Sequence, residues 1–253
     1  MPQRTTLYVI YMPYTLKEYN VGQLLTTCRV SEREANNGMR VTVLENKAVE
    51  SEETAGPCQY TSKVIDFSKK VQSFLRKIAP SGSLTMSEKS HNAFPVCKTV
   101  YTSGALSEKK FKARIDTLFL EGHKAPIDPF SDGIISENCE VLDLVYGQQM
   151  CEGIDLATVK GDDGNLLFKE GWEKEHTPVM TIFKRVHIDL HIPFIGWKYI
   201  EDVDKFMRKM FIQGHQEVIK YHSEWKDMDM DGVREEEAKT KAALEAKYPP
   251  KGK

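Results

Sequence analysis

The residues of this chain most able to do chemistry are polar ones that fall on apolar faces. In the run from Phe183, alternation puts Lys184, Val186, Ile188, Leu190 and Ile192 on one side and Arg185, His187, Asp189 and His191 on the other. The second set reads as a solvated face. The first is a core face headed by a lysine. A buried ammonium without a partner is costly, so Lys184 needs an anion or a route to water. Snorkelling at a strand end is the plainer alternative. The run Gln59 to Phe67 repeats the pattern, with Thr61, Lys63, Ile65 and Phe67 on one side. Cys97, Thr99 and Tyr101 share a face, and so do Ile115, Thr117 and Phe119. One inward threonine is common; two inward lysines and three inward threonines describe an interior that receives a polar, anionic group. Near the C-terminus Val233, Glu237, Thr240, Leu244 and Tyr248 step by 4, 3, 4 and 4, which puts Glu237 on a buried helical stripe unless it pairs with Lys241 at the surface.

The elements that must position these groups follow from local signals. Leu7 to Met12 is a β-rich run closed by Pro13, and Thr15-x-x-Glu18 is a capping box opening a helix with Leu16, Tyr19, Gln23 and Thr27 near one face. Asn36-Asn37-Gly38 marks a turn before a strand from Met39 to Leu44. The polar stretch Glu45 to Pro57 reads as a loop. Ser68 can cap a short helix with Val71, Phe74, Leu75 and Ile78 inward, stopped at Pro80. Further strands are expected at Val96 to Thr102, Phe111 to Leu120, Cys139 to Tyr146 and Thr181 to Ile192. Between Gly147 and Thr177 the pattern is weak. Long helices are expected over Tyr199 to Trp225 and Val233 to Tyr248, the last with Glu235–Lys239 and Glu237–Lys241 pairs. Strands in the middle and long helices at the end predict an α+β fold with an antiparallel sheet.

Composition bounds the partners. The 253 residues are 40% hydrophobic and 28% charged, which suits a soluble globular chain. With 35 basic against 37 acidic residues there is no bulk basic field for nucleic acid, although a local basic patch stays open. No window is long and apolar enough for a transmembrane helix, and the N-terminus is too polar for a secretion signal. Cys28, Cys58, Cys97, Cys139 and Cys151 are odd in number and form no C-x-x-C, so the reading is a reducing, cytoplasmic compartment with thiols acting as small apolar residues.

Together these faces describe a curved sheet with long helices closed over a largely apolar interior, and such a cavity can hold a lipid. Pro193-Phe194-Ile195-Gly196-Trp197 sets large apolar residues on a turn between strand and helix. Exposed, it would dip into a bilayer interface; otherwise Phe194 and Ile195 are core. Several stretches closely resemble the phosphatidylinositol transfer protein family: Glu18-Tyr19-Asn20-Val21-Gly22-Gln23-Leu24, Gln59-Tyr60-Thr61-Ser62-Lys63, and Ala79-Pro80-Ser81-Gly82-Ser83-Leu84 through Glu88-Lys89 to Asn92-Ala93-Phe94-Pro95-Val96-Cys97-Lys98-Thr99-Val100. The resemblance resumes at Phe183-Lys184, covering roughly the first 120 and last 75 residues.

That resemblance implies one domain over 1–253 with a START-like helix-grip fold enclosing one phospholipid. It implies inositol contacts from Thr61, Lys63, Asn92 and Glu237, and phosphate contacts from Gln23, Thr99, Thr117 and Lys184. It ties Cys97 to phosphatidylcholine. Met230-Asp231-Gly232-Val233-Arg234-x-x-Glu237 supports Glu237, with Glu236 the alternative if the register slips by one. The family's tandem tryptophans at the membrane turn are replaced by Phe194-Ile195, with Trp197 following. The implied protein binds phosphatidylinositol and phosphatidylcholine, touches membranes transiently, works as a monomer, and needs neither metal nor cofactor.

Competing readings are weaker. Asp227-x-Asp229-x-Asp231-Gly232 begins like a calcium loop, but Ala238 stands where a glutamate is required and Arg234 where an apolar residue is. No G-x-S-x-G, P-loop or H-E-x-x-H supports an enzyme. His187 and His191 lie two strand steps apart, which fits exposure better than a metal pair. A binder of sterol or another apolar ligand would have no use for two inward lysines.

Overall fold

A computed structural model describes residues 3–66, 85–104, 106–147, 151–161, 164–192 and 196–247. Eight strands form one sheet: β1 (Gln3–Met12), β2 (Arg40–Ser51), β3 (Gly56–Asp66), β4 (Thr85–Ala93), β5 (Val96–Ser103), β6 (Phe111–Glu121), β7 (Asn138–Val141) and β8 (Met180–Leu190). Their spatial order is β2-β3-β4-β5-β6-β8-β1-β7. All neighbours are antiparallel except β1 and β7, a parallel pair at one edge that departs from the purely antiparallel sheet expected. Three long helices complete the frame: α1 (Leu16–Asn36), α2 (Gly196–Lys220) and α3 (Met230–Lys247).

The capping box at Thr15 forms as its spacing predicts. Glu18 N–H donates to Thr15 Oγ1 at 3.2 Å and Thr15 N–H to Glu18 Oε2 at 2.8 Å. Helix α2 lays Ile200, Val203, Met207, Phe211 and Ile212 against the inner face of β1 and β8, where Tyr8 and Phe211 meet edge-on at 5.5 Å. Asp204 fixes this contact by accepting from Tyr8 Oη at 2.7 Å and Arg4 Nε at 2.6 Å. Helix α3 runs along α1, held by Arg29–Glu236 at 2.8 Å and Thr240–Glu32 at 2.5 Å.

Several expectations change. The strand expected at Met39 to Leu44 continues to Ser51, so Glu45 to Pro57 is not a loop. A bulge between Val43 and Glu45 is the reason. It inserts one residue, so Val43 and Asn46, an odd three apart, both point inward while Leu44 turns out to solvent. Strand β4 has no apolar alternation; its inward residues include Glu88, Ser90 and Asn92, so no periodic signal marks it. The strand expected at Cys139 to Tyr146 is only β7, and α2 stops at Lys220 before a separate turn of helix, His222–Trp225. The face of β8 read as solvated is only partly so: His187, Asp189 and His191 are half-buried, but Arg185 is 1% exposed. The segment after β6 folds over it, bringing Asp132 Oδ1 to 2.8 Å and the Phe130 ring to 4.5 Å, while Asp116 sits at 3.1 Å from the sheet itself. The helix expected over residues 68–78 lies outside the described residues.

Candidate functional site

Sheet register gathers most of the candidate residues on one concave face. One row across the sheet reads Tyr8, Lys184, Thr117, Cys97, Asn92 and Gln59. The next reads Thr6, Val186, Ile115, Thr99, Ser90, Thr61 and Asn46. The third brings Ile188, Ala113, Tyr101, Glu88, Lys63 and Val43 together. Strand alternation fixes which side each residue takes, and the pairing register turns residues distant in sequence into neighbours.

Over the β2–β4 end of this face, α1 and α3 close a cavity of about 570 Å³. That is inside the range of about 300–1,000 Å³ usual for small-molecule sites. Gln23 from α1, Thr61 and Lys63 from β3, Asn92 from β4 and Glu237 from α3 all line it. Leu24, Val41, Val43, Phe94, Met230 and Leu244 give it an apolar side. Three cations, Lys63, Arg234 and Lys241, stand against two carboxylates, Glu88 and Glu237, around the space.

The polar groups differ in how far the protein satisfies them. Lys63 lies 3.4 Å from Glu88, which also accepts from Tyr101 Oη at 2.9 Å. Burial and that carboxylate push the Tyr101 phenol well above its ordinary range. Thr61 Oγ1 and Gln59 Nε2 both reach Asn46 Oδ1, at 3.3 and 2.6 Å. Gln23 Nε2 donates to Asn20 Oδ1 at 3.1 Å. Asn92 Oδ1 is buried with no hydrogen-bond partner among the described residues. An orphaned acceptor in a polar-lined cavity is a place for a ligand's donor, because left alone it costs its full desolvation.

Glu237 faces the cavity and is bound by Arg234 at 2.5 Å, an i,i+3 pair, not by Lys241. Glu236 is engaged elsewhere, by Arg29 and Lys239 at 2.8 Å each, and is not among the lining residues. Of the two pairs expected on α3, neither forms; Lys239 takes Glu236, and Lys241 lies 4.0 Å from Glu245.

Thr99, Thr117, Cys97 and Lys184 stand on the same face but are not part of that cavity's lining. A short chain of hydroxyl and thiol groups connects the two. Ser90, which lines the cavity, lies 3.1 Å from Thr99 Oγ1 and 3.4 Å from Cys97 Sγ. Gln23, implied as a phosphate contact, therefore lies with the inositol set and apart from Lys184. Lys184 itself reaches Thr117 Oγ1 at 3.5 Å and faces the rings of Phe119 and Phe211 at 5.9 and 5.2 Å. No carboxylate is within ion-pair distance among the described residues, and burial pulls its pKa down to about 8. Beside it His215 is held neutral, its pKa driven to about 3 by burial and the nearby ammonium. Its Nδ1 meets Phe211 O at 2.6 Å and its Nε2 is buried without a partner among the described residues.

Sequence reasoning did not single out Glu88, Ser90, Asn46 or His215. Glu88 and Asn92 lie on β4, whose polar inward face carries no hydrophobic period, and Asn46 lies beyond the bulge. His215 was indistinguishable from other α2 residues until packing set it near Lys184. Phe194 and Ile195 lie outside the described residues, while Trp197 opens α2 at 69% exposure. The acidic run before α3 has a structural use: Asp229 Oδ1 accepts from Gly232 N–H at 2.9 Å at the helix start.

Comparison with known proteins bears on the whole of this arrangement. The family model described as phosphatidylinositol transfer protein matches residues 3–242, including the middle stretch in which the quoted motifs are sparse. Phosphatidylinositol transfer protein 1 of Dictyostelium discoideum is 31% identical over 257 residues, covering 94% of this chain and 93% of its own. The human phosphatidylinositol transfer protein beta isoform is 28% identical over 258 residues, covering 93% and 91%. The mouse cytoplasmic phosphatidylinositol transfer protein 1 is 29% identical over 256 residues, covering 96% of this chain and 75% of its own. A match across the strands that carry Thr61, Lys63 and Asn92 and across the helices that close over them leaves one assignment: this chain belongs to the phosphatidylinositol transfer protein family.

Proposed function

We propose that the protein is a lipid carrier: it takes one phosphatidylinositol from a membrane, shields it inside, and releases it at another without covalent chemistry. The inositol ring sits in the cavity between β2–β4, α1 and α3. Thr61, Lys63, Asn92 and Glu237 meet its hydroxyls, with Glu88 and Gln23 beside them. The single observation carrying this reading is Asn92 Oδ1, a buried acceptor with no partner among the described residues, in a cavity lined by Lys63 and Glu237. Lys184 and Thr117 supply the cation and neutral donor that a buried phosphodiester needs, and Thr99 a second hydroxyl. Phosphatidylcholine shares the phosphate site, with Cys97 beside it, and makes no use of the inositol contacts.

The whole chain acts as one START-like domain and as a monomer, working in the cytoplasm. No described helix is long and apolar enough to cross a membrane. Contact with the bilayer runs through the turn bearing Phe194, Ile195 and Trp197, which opens to let lipid pass. Apolar burial of the acyl chains supplies most of the affinity and the polar cluster selects the headgroup.

Native mass spectrometry of the purified protein tests this. Phosphatidylinositol should be found bound. Lys63→Ala or Thr61→Ala should lose it while phosphatidylcholine is retained. Equal loss of both lipids removes the headgroup assignment, and turnover on a lipid panel would make the protein an enzyme instead.

A further inference from the structure

The convex face of the sheet carries a second polar concavity that the lipid cavity does not use. It encloses about 200 Å³ and is lined by Lys89, His91, Lys98, Lys112 and Arg114 together with Glu53 and Glu108. The register explains the cluster. Lys89 lies across from Val100 and Val100 from Arg114, while His91 lies across from Lys98, so outward residues of β4, β5 and β6 pile basic groups on one surface. Arg114 is already neutralised, by Asp116 at 2.9 Å and Glu53 at 3.3 Å. Lys89, Lys98 and Lys112 make no ion pair among the described residues, and neither do Lys109 and Lys110, which stand exposed in the turn joining β5 to β6.

Two hydrogen bonds tie that turn to the start of α2. His191 N–H donates to Lys110 O at 2.8 Å, and Gly196 N–H to Ile192 O at 2.9 Å. Through these two bonds the backbone at Lys110 is joined to the residues just before Trp197 and Lys198, both of them exposed. Besides Glu53 and Asp116, which Arg114 occupies, the carboxylates nearby are Glu108 in the same turn, Asp189 opposite Lys112, and Glu201 on α2. Asp189 already accepts from Gln3 at 2.7 Å and has His187 and His191 at 3.5 and 3.9 Å; Glu201 has Lys205 at 3.8 Å. A surplus of unpaired ammonium groups around an exposed indole is the composition of an interfacial contact with acidic lipid.

We propose that the β5–β6 turn and the adjoining convex face dock the protein on anionic bilayers. Lys109, Lys110 and Lys112 engage headgroups while Trp197 enters the interface, and Lys89 and Lys98 extend the attraction along the sheet. The occupant is lipid and not an acidic protein, because the one arginine able to form a bidentate clamp is internally paired. The unpaired cations are lysines, mobile point charges that suit a laterally fluid surface. This rests on the lipid-exchange reading and adds the class of membrane it prefers.

The test compares wild type with Lys109→Gln/Lys110→Gln/Lys112→Gln on vesicles of phosphatidylcholine alone and of phosphatidylcholine with phosphatidylserine. Each lysine at an anionic surface is worth about 1 kcal/mol, so binding to the acidic vesicles should weaken on the order of a hundredfold in the triple variant. Wild-type binding should also fall with added salt, and binding to neutral vesicles should be equal in the two proteins. An unchanged melting midpoint shows that the variant folds. Equal wild-type affinity for both vesicles overturns the proposal, as does an unaffected triple variant. Saturable binding of inorganic pyrophosphate with no vesicle preference overturns it in favour of a soluble phosphate site. A clear preference for acidic vesicles by a wild type carrying no phosphatidylinositol would uphold the docking surface and remove the transfer reading.

Discussion

Lys184 stands on a core face among Thr117, Phe119 and Phe211, and among the described residues a threonine hydroxyl at 3.5 Å and two ring faces answer its charge, with no carboxylate. Its ordinary pKa of 10.5 falls to about 8 for that reason. Between these two values the unfolded chain holds a proton that the folded chain has released. Stability of the lipid-free protein therefore rises with pH across that window. Thermal melting from pH 8 to 10.5 should show this slope, and Lys184→Met should flatten it. A bound phosphodiester favours the ammonium, so phosphatidylinositol affinity should fall as pH climbs above about 8 in wild type. A lipid affinity indifferent to pH there would detach Lys184 from the phosphate. This residue, like Thr61, Lys63, Thr99 and Thr117, was legible because each interrupts an apolar alternation. Glu88 and Ser90 were not, since only Met86 among the inward residues of β4 is apolar and no alternation marks the strand.

Element by element, the sequence placed β1, α1, β3, β5, β6, β8, α2 and α3 to within a few residues, because each has either a hydrophobic period or a cap. It lost β4 and the second half of β2, where the inward face is polar or a bulge reverses the alternation. Close packing between elements was equally invisible. Gly22 on α1 lies under the ring of buried Trp225, and a Cβ there would come within 2.6 Å of it. Alanine gains up to about 1 kcal/mol in helix propensity over glycine. Overpacking a core typically costs about 1–3 kcal/mol. Gly22→Ala should therefore be a net destabilisation, seen as a lower melting midpoint with a shifted Trp225 emission. A neutral or stabilising outcome would mean the indole moves aside freely, against its hydrogen bond to Val218 O at 2.9 Å.

For the whole molecule, a ligand that binds only the folded state stabilises it by mass action. Adding phosphatidylinositol to lipid-free protein should raise the melting midpoint with concentration. Asn92→Ala should leave the lipid-free midpoint nearly unchanged, since its oxygen has no partner to lose among the described residues, yet shrink the lipid-induced shift. A variant that melts lower without lipid would give Asn92 a structural role instead. The amino-acid order by itself determined the mixture of a strand-rich middle with long closing helices, the inward lysines and threonines, and the family likeness, because these depend on periodicity and local motif. Tertiary structure alone decided the rest. It paired Lys63 with Glu88, turned Glu237 and not Glu236 to the cavity, and sealed Arg185 beneath a segment that sequence left unassigned. Those outcomes follow from strand register and from what packs over each face, and both are set by contacts between residues far apart along the chain.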